Sequence, residues 1–537
     1  MHTANSSRRT VTVTWLTRSR VIGAAACALC AALVSVTMTA QQARQHAVQF
    51  TTNDAFDAGG ISPYAGRHDD VYAHIDANLT EHLGHLQRWV RQPSVSAQNR
   101  GIAEMANLLA GDLRTLGFKE VTLVPTSGHP GVFGFYDAGS ARTLLVYMMY
   151  DVQPEETGWK VPAFDGALVE TEFGRVLMAR GATNQKGPER AFLNAIDSII
   201  KTTGKLPVNI LLAAEGEEEL GSTNYPEVIE KYEARLKKAD GAFFPLNAQD
   251  GTGAVSLPLG VKGILSIELE AIGGPQGGPT RAEIHSSLKA VVDAPAWRLA
   301  QALAVLTTPD GNTIQVPGYY DAIREPTLEE QRLVNGFVKR SAAGEAAMRQ
   351  ALGVERYIDG LSGRDLTARH LFSTTMNING MWAGYTGEGM KTILPHVARA
   401  RIDSRLVPNQ TPDAQLELIR KHLAAKGFGD IKVRKFGGYS PAQTSVDTPI
   451  VQALISVFNK HGATPAVVPR LAGSAPYYVF TDRLKLPMVM GGLGYGSGAH
   501  APNEYMVIEP RAGSRIAGLA AIEKFYVDFL YAFAGMR

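Results

Sequence analysis

Short apolar runs alternate along the chain with stretches in which apolar residues recur every three or four positions. The apolar runs at 144–150 and 208–214 predict buried strands. Helical spacing predicts helices at 71–90, 102–116, 191–202 and 225–236. This order is typical of an α/β fold in which a mixed sheet carries helices on both faces.

A second unit of strands and helices begins near residue 263. Its elements are predicted at 263–271, 296–306, 376–382, 398–406 and 412–426, with a long polar, mostly helical insertion at 310–369. The chain then returns to the first unit through elements predicted at 449–461, 488–491 and 513–534. We therefore expect a small α+β domain inserted into the larger α/β domain.

The first 40 residues differ from the rest of the chain. Four arginines precede an apolar run at 21–36, and small residues follow it as far as Ala40. This pattern predicts a secretory signal peptide at 1–40 and an exported protein, periplasmic or secreted, with residues 41–70 as a leader. A membrane anchor is the alternative, although the apolar run is short for one. The sequence leaves the export route open.

Charge and cysteine content narrow the classes of function. The net charge is +2 with 19% charged residues, which gives no argument for a nucleic-acid partner. Both cysteines, Cys27 and Cys30, lie inside the predicted signal peptide. A mature chain would then have no cysteine, so any metal would be held by histidine, carboxylate or amide groups.

Three polar segments stand where an α/β enzyme places its chemistry. An acidic loop, Ala214-Glu-Gly-Glu-Glu-Glu-Leu-Gly-Ser222, follows a predicted strand. A glycine-containing loop, Arg180-Gly-Ala-Thr-Asn-Gln-Lys-Gly-Pro188, precedes a predicted helix, and a glycine-rich loop at 491–505 contains His500. Taken singly, the first could be a solvated acidic turn and the second an ordinary strand-to-helix connection. Clustered carboxylates, however, need a cation or a proton to lie close together.

Together with Met149-Tyr-Asp151 at the end of the first predicted strand, these segments resemble metallopeptidase family 20, the carnosinase, aminoacylase and glutamate carboxypeptidase type. The resemblance covers nearly all of the chain from residue 71. It implies a zinc-exopeptidase-like catalytic domain at 71–262 and 448–537. It also implies an inserted lid or dimerisation domain at 263–447, through which a homodimer would form.

The resemblance implies site residues, and it also exposes substitutions. Glu218 matches the family's general base, while Glu219 and His500 match zinc ligands, and Asp151 matches the aspartate that orients another ligand. That ligand, a histidine in the family, is Met149 here. The bridging aspartate is Asn184, and a further acidic ligand is Leu246. Thioether and alkyl groups are poor zinc ligands, so a two-metal centre is not expected.

The substrate side of the family pattern is better kept. His285 matches a lid histidine that stabilises the oxyanion, often across a dimer interface. Thr392 and Arg405 match residues that bind the substrate carboxylate, and Ser474 matches a conserved turn of the family. The implied substrate is a small molecule with a free carboxylate, such as an N-acyl amino acid or a dipeptide.

Three hypotheses remain open from the sequence. The chain is a hydrolase with at most one divalent metal, such as zinc, held by Asn184, Glu219 and His500, with Glu218 as the base. Alternatively, it is a metal-independent enzyme in which Asp151 and the glutamates do acid–base chemistry beside Lys186. The third is a non-catalytic protein that binds a carboxylate or only dimerises.

Overall fold

The computed structural model describes residues 48–341 and 345–536, and its first part alternates helices with strands. These elements are α1 (Asp69–Ala77), α2 (Leu79–Arg91), α3 (Ile102–Thr115), β1 (Lys119–Val124), β2 (Gly131–Tyr136), β3 (Thr143–Met149), β4 (Ala167–Thr171), β5 (Gly174–Met178), α4 (Lys186–Thr203), β6 (Asn209–Glu215), α5 (Tyr225–Leu236), β7 (Gly241–Pro245) and β8 (Ser256–Pro258).

The middle of the chain begins with a long strand and includes the helices of the polar insertion. Its elements are β9 (Gly260–Ile272), β10 (Ile284–His285), α6 (Pro295–Ala304), α7 (Leu328–Ser341), α8 (Glu345–Ala351), α9 (Gly363–Phe372), β11 (Asn377–Ala383), β12 (Ile393–Leu394), β13 (Val397–Leu406), α10 (Pro412–Ala425) and β14 (Lys432–Tyr439).

The last part returns to the first sheet. Its elements are β15 (Ala442–Gln443), α11 (Pro449–Lys460), β16 (Ala466–Val468), β17 (Leu471–Ser474), β18 (Met488–Gly491), β19 (Gly496–Ser497), β20 (Tyr505–Pro510) and α12 (Leu519–Gly535).

The first sheet has six strands in the order β1-β2-β6-β3-β7-β18. Strands β6, β3, β7 and β18 are mutually parallel, and β1 and β2 add an antiparallel edge. Side chains of β3 alternate between the two faces, because successive residues of a strand point in opposite directions. Leu144, Val146 and Met148 pack into the larger core, whereas Leu145, Tyr147 and Met149 pack into a second core.

Helices cover both faces of this sheet. The larger core contains apolar side chains of α3, α4, α11 and α12, while the second core contains those of α5 and of the helical turn Val479–Leu484. This confirms the predicted α/β fold with a mixed sheet.

The second sheet is antiparallel, in the order β11-β13-β9-β14. One face of β9 and β13 packs against α6 and α10 through an apolar core. The other face carries ion pairs, such as Glu268 with Arg401 at 3.3 Å and with Arg434 at 3.1 Å. Strand β9 also pairs at its start with β15 and β17, so it runs from the first part of the protein into the second sheet.

Three predicted helices have different bounds in the structure. The helix predicted at 71–90 is two helices, because the chain leaves helical geometry at Asn78, whose side chain donates to the His74 carbonyl. The helix predicted at 191–202 already begins at Lys186, since Pro188 fits a first helical turn, where its missing N–H costs nothing. The helix predicted at 513–534 begins only at Leu519, after the left-handed turn at Gly513.

The predicted signal peptide, residues 1–40, lies outside the described residues. The end of the predicted leader is held by α7 and α11. Asn335 donates to the carbonyls of Thr52 and Asp54, and Asn459 donates to those of Ala58 and Ile61. Within 48–341 and 345–536, every helix is too short or too polar to cross a lipid bilayer.

Candidate active site

The carboxyl ends of the four parallel strands meet at one edge of the first sheet, where α/β proteins place their sites. Asp151 follows β3, the acidic loop follows β6, Leu246 follows β7 and the glycine-rich loop follows β18. Asn184 lies just before α4. The fold thus gathers at this edge the segments that were singled out in the sequence.

Asp151 holds the acidic loop in place. This fully buried carboxylate accepts the backbone N–H of Glu218 on one oxygen and that of Glu219 on the other, each at 3.1 Å. Since both oxygens bind the loop, the structure places Asp151 where it positions the two glutamates, instead of orienting a ligand at position 149.

Glu219, Asn184 and His500 form one hydrogen-bonded group, called the Glu219 group below. The Asn184 amide nitrogen donates to Glu219 Oε1 at 2.8 Å and lies 3.1 Å from His500 Nε2. His500 Nε2 also lies 3.1 Å from Glu219 Oε2, and Gln153 donates to the same oxygen at 2.8 Å. Three side chains that are far apart in sequence therefore converge on one carboxylate.

The Glu218 and Asp151 carboxyl groups have raised pKa values. Burial, with the nearby Glu219 and Asp151 carboxylates, raises the pKa of Glu218 to about 8. Burial also raises the pKa of Asp151 to about 7, and the hydrogen bond with Glu219 raises the pKa of His500. A carboxyl with a pKa near neutrality can both take up and release a proton, which suits general acid–base catalysis.

Lys186 does not pair with these carboxylates. Its ammonium donates to the backbone carbonyls of Trp89 at 3.2 Å and Gln92 at 2.6 Å, and burial lowers its pKa to about 7. Among the described residues Lys186 thus forms no ion pair with the acidic loop, although the Asp151 carboxylate partly offsets the lowering of the Lys186 pKa by burial.

Glu504 supports the loop that carries Asn184. Its buried carboxylate accepts the backbone N–H groups of Gly181, Thr183 and Asn184 at 2.9–3.0 Å and the Arg180 guanidinium at 2.8 Å. The sequence analysis missed this residue. The available signal was its place in Pro-Asn-Glu, four residues after His500.

Met149 and Leu246 belong to the apolar core. Met149 is only 1% exposed, and both side chains pack in the second core, which also contains Tyr147, Phe244 and Met490. The backbone N–H of Met149 donates to Glu189 at 2.8 Å, another buried residue that the sequence analysis did not assign. Neither the Met149 thioether nor the Leu246 alkyl group is a donor suited to zinc.

Two positions that the family resemblance assigns to zinc ligands, Met149 and Leu246, carry side chains that are poor zinc donors. Within the described residues, no group of three or more histidine, cysteine or acidic side chains is placed to hold an ion. One imidazole, one carboxylate and one amide remain together, at His500, Glu219 and Asn184. That set matches the donor types of a single divalent ion, with weaker binding than a set of three charged or imidazole ligands.

The predicted substrate-binding residues lie in two further groups. Arg405 Nη1 donates to Ser474 Oγ at 2.9 Å, and its Nε lies 3.2 Å from Asp403. His285 Nε2 lies 3.2 Å from Thr392 Oγ1, on the short β10–β12 ladder, where both are solvent-exposed. Among the described residues, His285 has no contact with the Glu219 group.

The fold and this arrangement agree with comparisons to known proteins. A family model described as Peptidase family M20/M25/M40 matches residues 145–522, well over half of the chain. The chain belongs to this peptidase family.

This chain matches two relatives over almost their whole length. A Cys-Gly metallodipeptidase of Schizosaccharomyces pombe is 28% identical over 470 residues, covering 82% of this chain and 94% of the relative. A Beta-Ala-His dipeptidase of Rattus norvegicus is 25% identical over 472 residues, covering 82% and 92%.

Solved structures share the architecture. An M20 family metallo-carboxypeptidase from Sulfolobus solfataricus has a TM-score of 0.76 and 35% identity, covering 84% of this chain and 99% of that one. Human carnosine dipeptidase 1, at 24% identity and a TM-score of 0.69, has the same fold and covers 87% and 100%. The resemblance inferred from the motifs is thus confirmed, as is the broad assignment to a family of peptide hydrolases.

Proposed function

We propose that this chain hydrolyses the peptide or amide bond of a small substrate with a free carboxylate, a dipeptide or an N-acyl amino acid, with Glu218 as general base. The observation that carries this proposal is the position of Glu218, whose loop is fixed by both oxygens of Asp151 beside the Glu219 group. Relatives named as metallodipeptidases and Beta-Ala-His dipeptidases support a substrate of this size.

In the proposed reaction, Glu218 takes a proton from the attacking water and passes it to the leaving amine. A pKa raised to about 8 suits both steps near neutral pH. Arg405 binds the substrate carboxylate. It has five N–H donors, of which those facing Ser474 and Asp403 are engaged, so others remain for a carboxylate.

At most one metal ion takes part in this proposal. Asn184, Glu219 and His500 would hold a divalent ion such as zinc, which would supply polarisation of the scissile carbonyl. A second ion is not part of it, because Met149 and Leu246 contribute no ligand.

We also propose that the protein acts as a homodimer through the lid domain, residues 263–447. His285 and Thr392 stand apart from the Glu219 group in their own chain, and exposed apolar side chains follow His285. Leu288 is 42%, Val291 80% and Trp297 66% exposed. A second copy would bury this surface and bring its His285 and Thr392 to the substrate.

Sedimentation tests the dimer. Val291→Asp is expected to convert a dimer to a monomer and to lower activity. Leu352→Asp, an exposed apolar position in the insertion at 57% exposure, is the control and should leave the dimer intact. A wild-type monomer with full activity would overturn this part of the proposal.

Export remains a proposal from the sequence, as do the domain boundaries at 71–262, 263–447 and 448–537. Expression of the full chain in a bacterial host, followed by mass spectrometry of the exported fraction, should find a mature protein that begins near residue 41. Full-length chain confined to the cell interior would contradict export.

A metal-independent enzyme is the second candidate function. It is favoured by the raised pKa values of Glu218 and Asp151, which burial causes and which permit acid–base chemistry by the chain's own groups. A panel of dipeptides and N-acetyl amino acids, each with a free or amidated carboxyl terminus, separates the candidates when assayed with and without a chelator.

The proposed function predicts turnover of free-carboxylate substrates that is lost on amidation, on chelation and in Glu218→Gln. Turnover that survives chelation but is lost in Glu218→Gln would favour the metal-independent enzyme. No turnover on any member of the panel would leave a carboxylate-binding protein and would contradict both candidates.

A further inference from the structure

Tyr439 lies on the same face and in the same cross-strand row as Arg405. Ile264 of β9 is paired with Arg405 of β13 on one side and with Tyr439 of β14 on the other. Directly paired residues project to the same face of a sheet, and strands two apart are separated by about 10 Å. This face is opposite to the one that Leu265 packs against the helices. The long side chains of Arg405 and Tyr439 therefore flank one site at the end of the second sheet.

The Tyr439 ring is held while its hydroxyl is left unused. The ring stacks on Tyr478 with centroids 6.2 Å apart and planes within 10° of each other. Across the described part of the chain, no protein group forms a hydrogen bond with the Tyr439 hydroxyl, whereas the buried hydroxyls of Tyr147 and Tyr319 both have partners. Tyr439 is held in place beside Arg405, the proposed carboxylate-binding residue, and its hydroxyl is free to donate a hydrogen bond. Such a tyrosine is suited to binding a ligand.

Both Glu218 and Arg405 act electrostatically on the Tyr439 hydroxyl. Burial and the Glu218 carboxylate raise the pKa of Tyr439, and the Arg405 guanidinium lowers it. Both charged groups therefore lie within interaction range of the ring. The net shift is upward, so the hydroxyl keeps its proton and acts as a donor near neutral pH.

The size of a dipeptide determines which of its groups the Tyr439 hydroxyl can reach. Consecutive Cα atoms are 3.80 Å apart across a trans peptide, so the terminal carboxylate of a dipeptide lies one residue from the scissile carbonyl. With the carboxylate on Arg405 and the attacking water at Glu218, the scissile peptide group lies between them. Tyr439, in the same row as Arg405 and within electrostatic range of Glu218, is placed to reach that peptide group.

We propose that Tyr439 is a catalytic residue whose hydroxyl donates a hydrogen bond to the scissile carbonyl oxygen as that oxygen becomes negatively charged. The inference rests on the proposed peptide hydrolysis and names a further group in it. Water adds to the carbonyl carbon while Glu218 accepts its proton. The oxyanion is held by Tyr439, which retains its own proton throughout. The C–N bond then breaks, the C=O bond re-forms and Glu218 returns the proton to the amine.

A pair of matched variants tests this role. Tyr439→Phe keeps the ring stack and removes the donor, and Tyr478→Phe removes a hydroxyl from the other ring of the same stack. Loss of one oxyanion donor lowers kcat by roughly 100-fold or more, and Tyr439→Phe is expected to do so with KM changed by less than about threefold. Tyr478→Phe is expected to stay close to wild type. Equal kcat values for the two variants would overturn the inference.

Binding of a phosphinic dipeptide mimic separates this inference from the proposed function. Its tetrahedral oxygen stands where the oxyanion forms, so Tyr439→Phe should weaken its binding in calorimetry by roughly 100-fold. The affinity for an uncleaved dipeptide is compared between the Glu218→Gln variant and the double variant Glu218→Gln, Tyr439→Phe. The two affinities should differ by less than about threefold, because the oxyanion has not formed in this complex.

The outcomes differ for the two ideas. Loss of hydrolysis in Glu218→Gln together with unchanged phosphinate binding in Tyr439→Phe removes the tyrosine and keeps the hydrolase. Absence of both turnover and phosphinate binding in the wild-type protein removes both.

Discussion

Two sides of the same sheet edge have taken different roles in this protein. On one side, Met149, the last residue of β3, and Leu246, the residue after β7, pack into the apolar core. On the other, Asn184, Glu219 and His500 form a polar group within 3.1 Å of one another. In the proposed function, the first side contributes to folding and the second to chemistry. The difference teaches that apolar residues at strand ends can extend a core to the edge of a site while neighbouring polar side chains stay hydrogen-bonded to one another.

The largest expected effect is on the polar side. Glu218→Gln keeps the shape of the side chain and removes its proton transfer, so kcat should fall by roughly 1,000-fold. Thermal unfolding should change little, because within residues 48–341 and 345–536 the Glu218 carboxylate forms no hydrogen bond that holds the loop, whereas its backbone N–H does. Steady-state kinetics on a cleaved dipeptide measure the effect.

Glu217→Gln is the matched control in the same loop. Glu217 binds the backbone of His129 at 2.9 Å and the side chain of Asn224 at 2.8 Å, on the side of the loop away from the Glu219 group. Its kcat should remain within about fivefold of wild type, since it takes no part in proton transfer. Similar losses in both variants would mean that the loop, and not the base, was disturbed.

The apolar side should show the opposite response. Met149→Ala is expected to lower the free energy of unfolding by about 2–5 kcal/mol through the cavity it leaves, and Met149→Leu by less than about 1.5 kcal/mol. His500→Ala, whose side chain is 57% exposed, should lie within about 0.5 kcal/mol of wild type. Urea unfolding of metal-free protein measures all three. A larger loss for His500→Ala than for Met149→Ala would reverse the comparison.

A smaller effect should come from Asp151, which lies between the two sides. Burial raises its pKa to about 7, whereas an unfolded aspartate has a pKa of about 3.9. Between these values the folded state holds a proton that the unfolded state has released. The contribution of Asp151 to stability therefore falls as pH rises, by up to about 1.4 kcal/mol per pH unit.

Asp151→Asn removes that contribution. In chelator-treated protein, its free energy of unfolding relative to wild type should rise steadily from pH 4.5 to pH 6.5, a window inside the interval set by the two pKa values. Parallel pH profiles of the two proteins would show that the native carboxyl is not held neutral.

Much of the fold could be predicted from the chain because its central elements are long and strongly patterned. Helix α5 and strand β18 have the predicted bounds, 225–236 and 488–491. The strands that were missed include the buried β2 and β7. Strands β1, β4 and β14 were missed because their side chains are largely exposed or half-buried and so show weak apolar patterning. Edge strands of this kind form through pairing with neighbours that are distant in sequence.

The candidate site shows the same division between local motifs, which the sequence reveals, and contacts between distant positions, which it does not. Glu218, Glu219 and His500 could be found because each lies in a recognisable local motif. Gln153 and Glu189 could not, because they act on partners 66 and 40 positions away, at Glu219 and Met149. Tyr439 likewise depends on strand register, which the local sequence does not encode.

Metal stoichiometry tests the central comparison most directly. Wild-type protein is equilibrated with excess zinc, freed of unbound ions by dialysis and analysed for metal, beside the triple variant Met149→His, Asn184→Asp, Leu246→Asp. At most one ion per wild-type chain is expected, and a second ion in the triple variant, which regains the missing donor types. Two tightly bound ions in the wild-type protein would contradict the account.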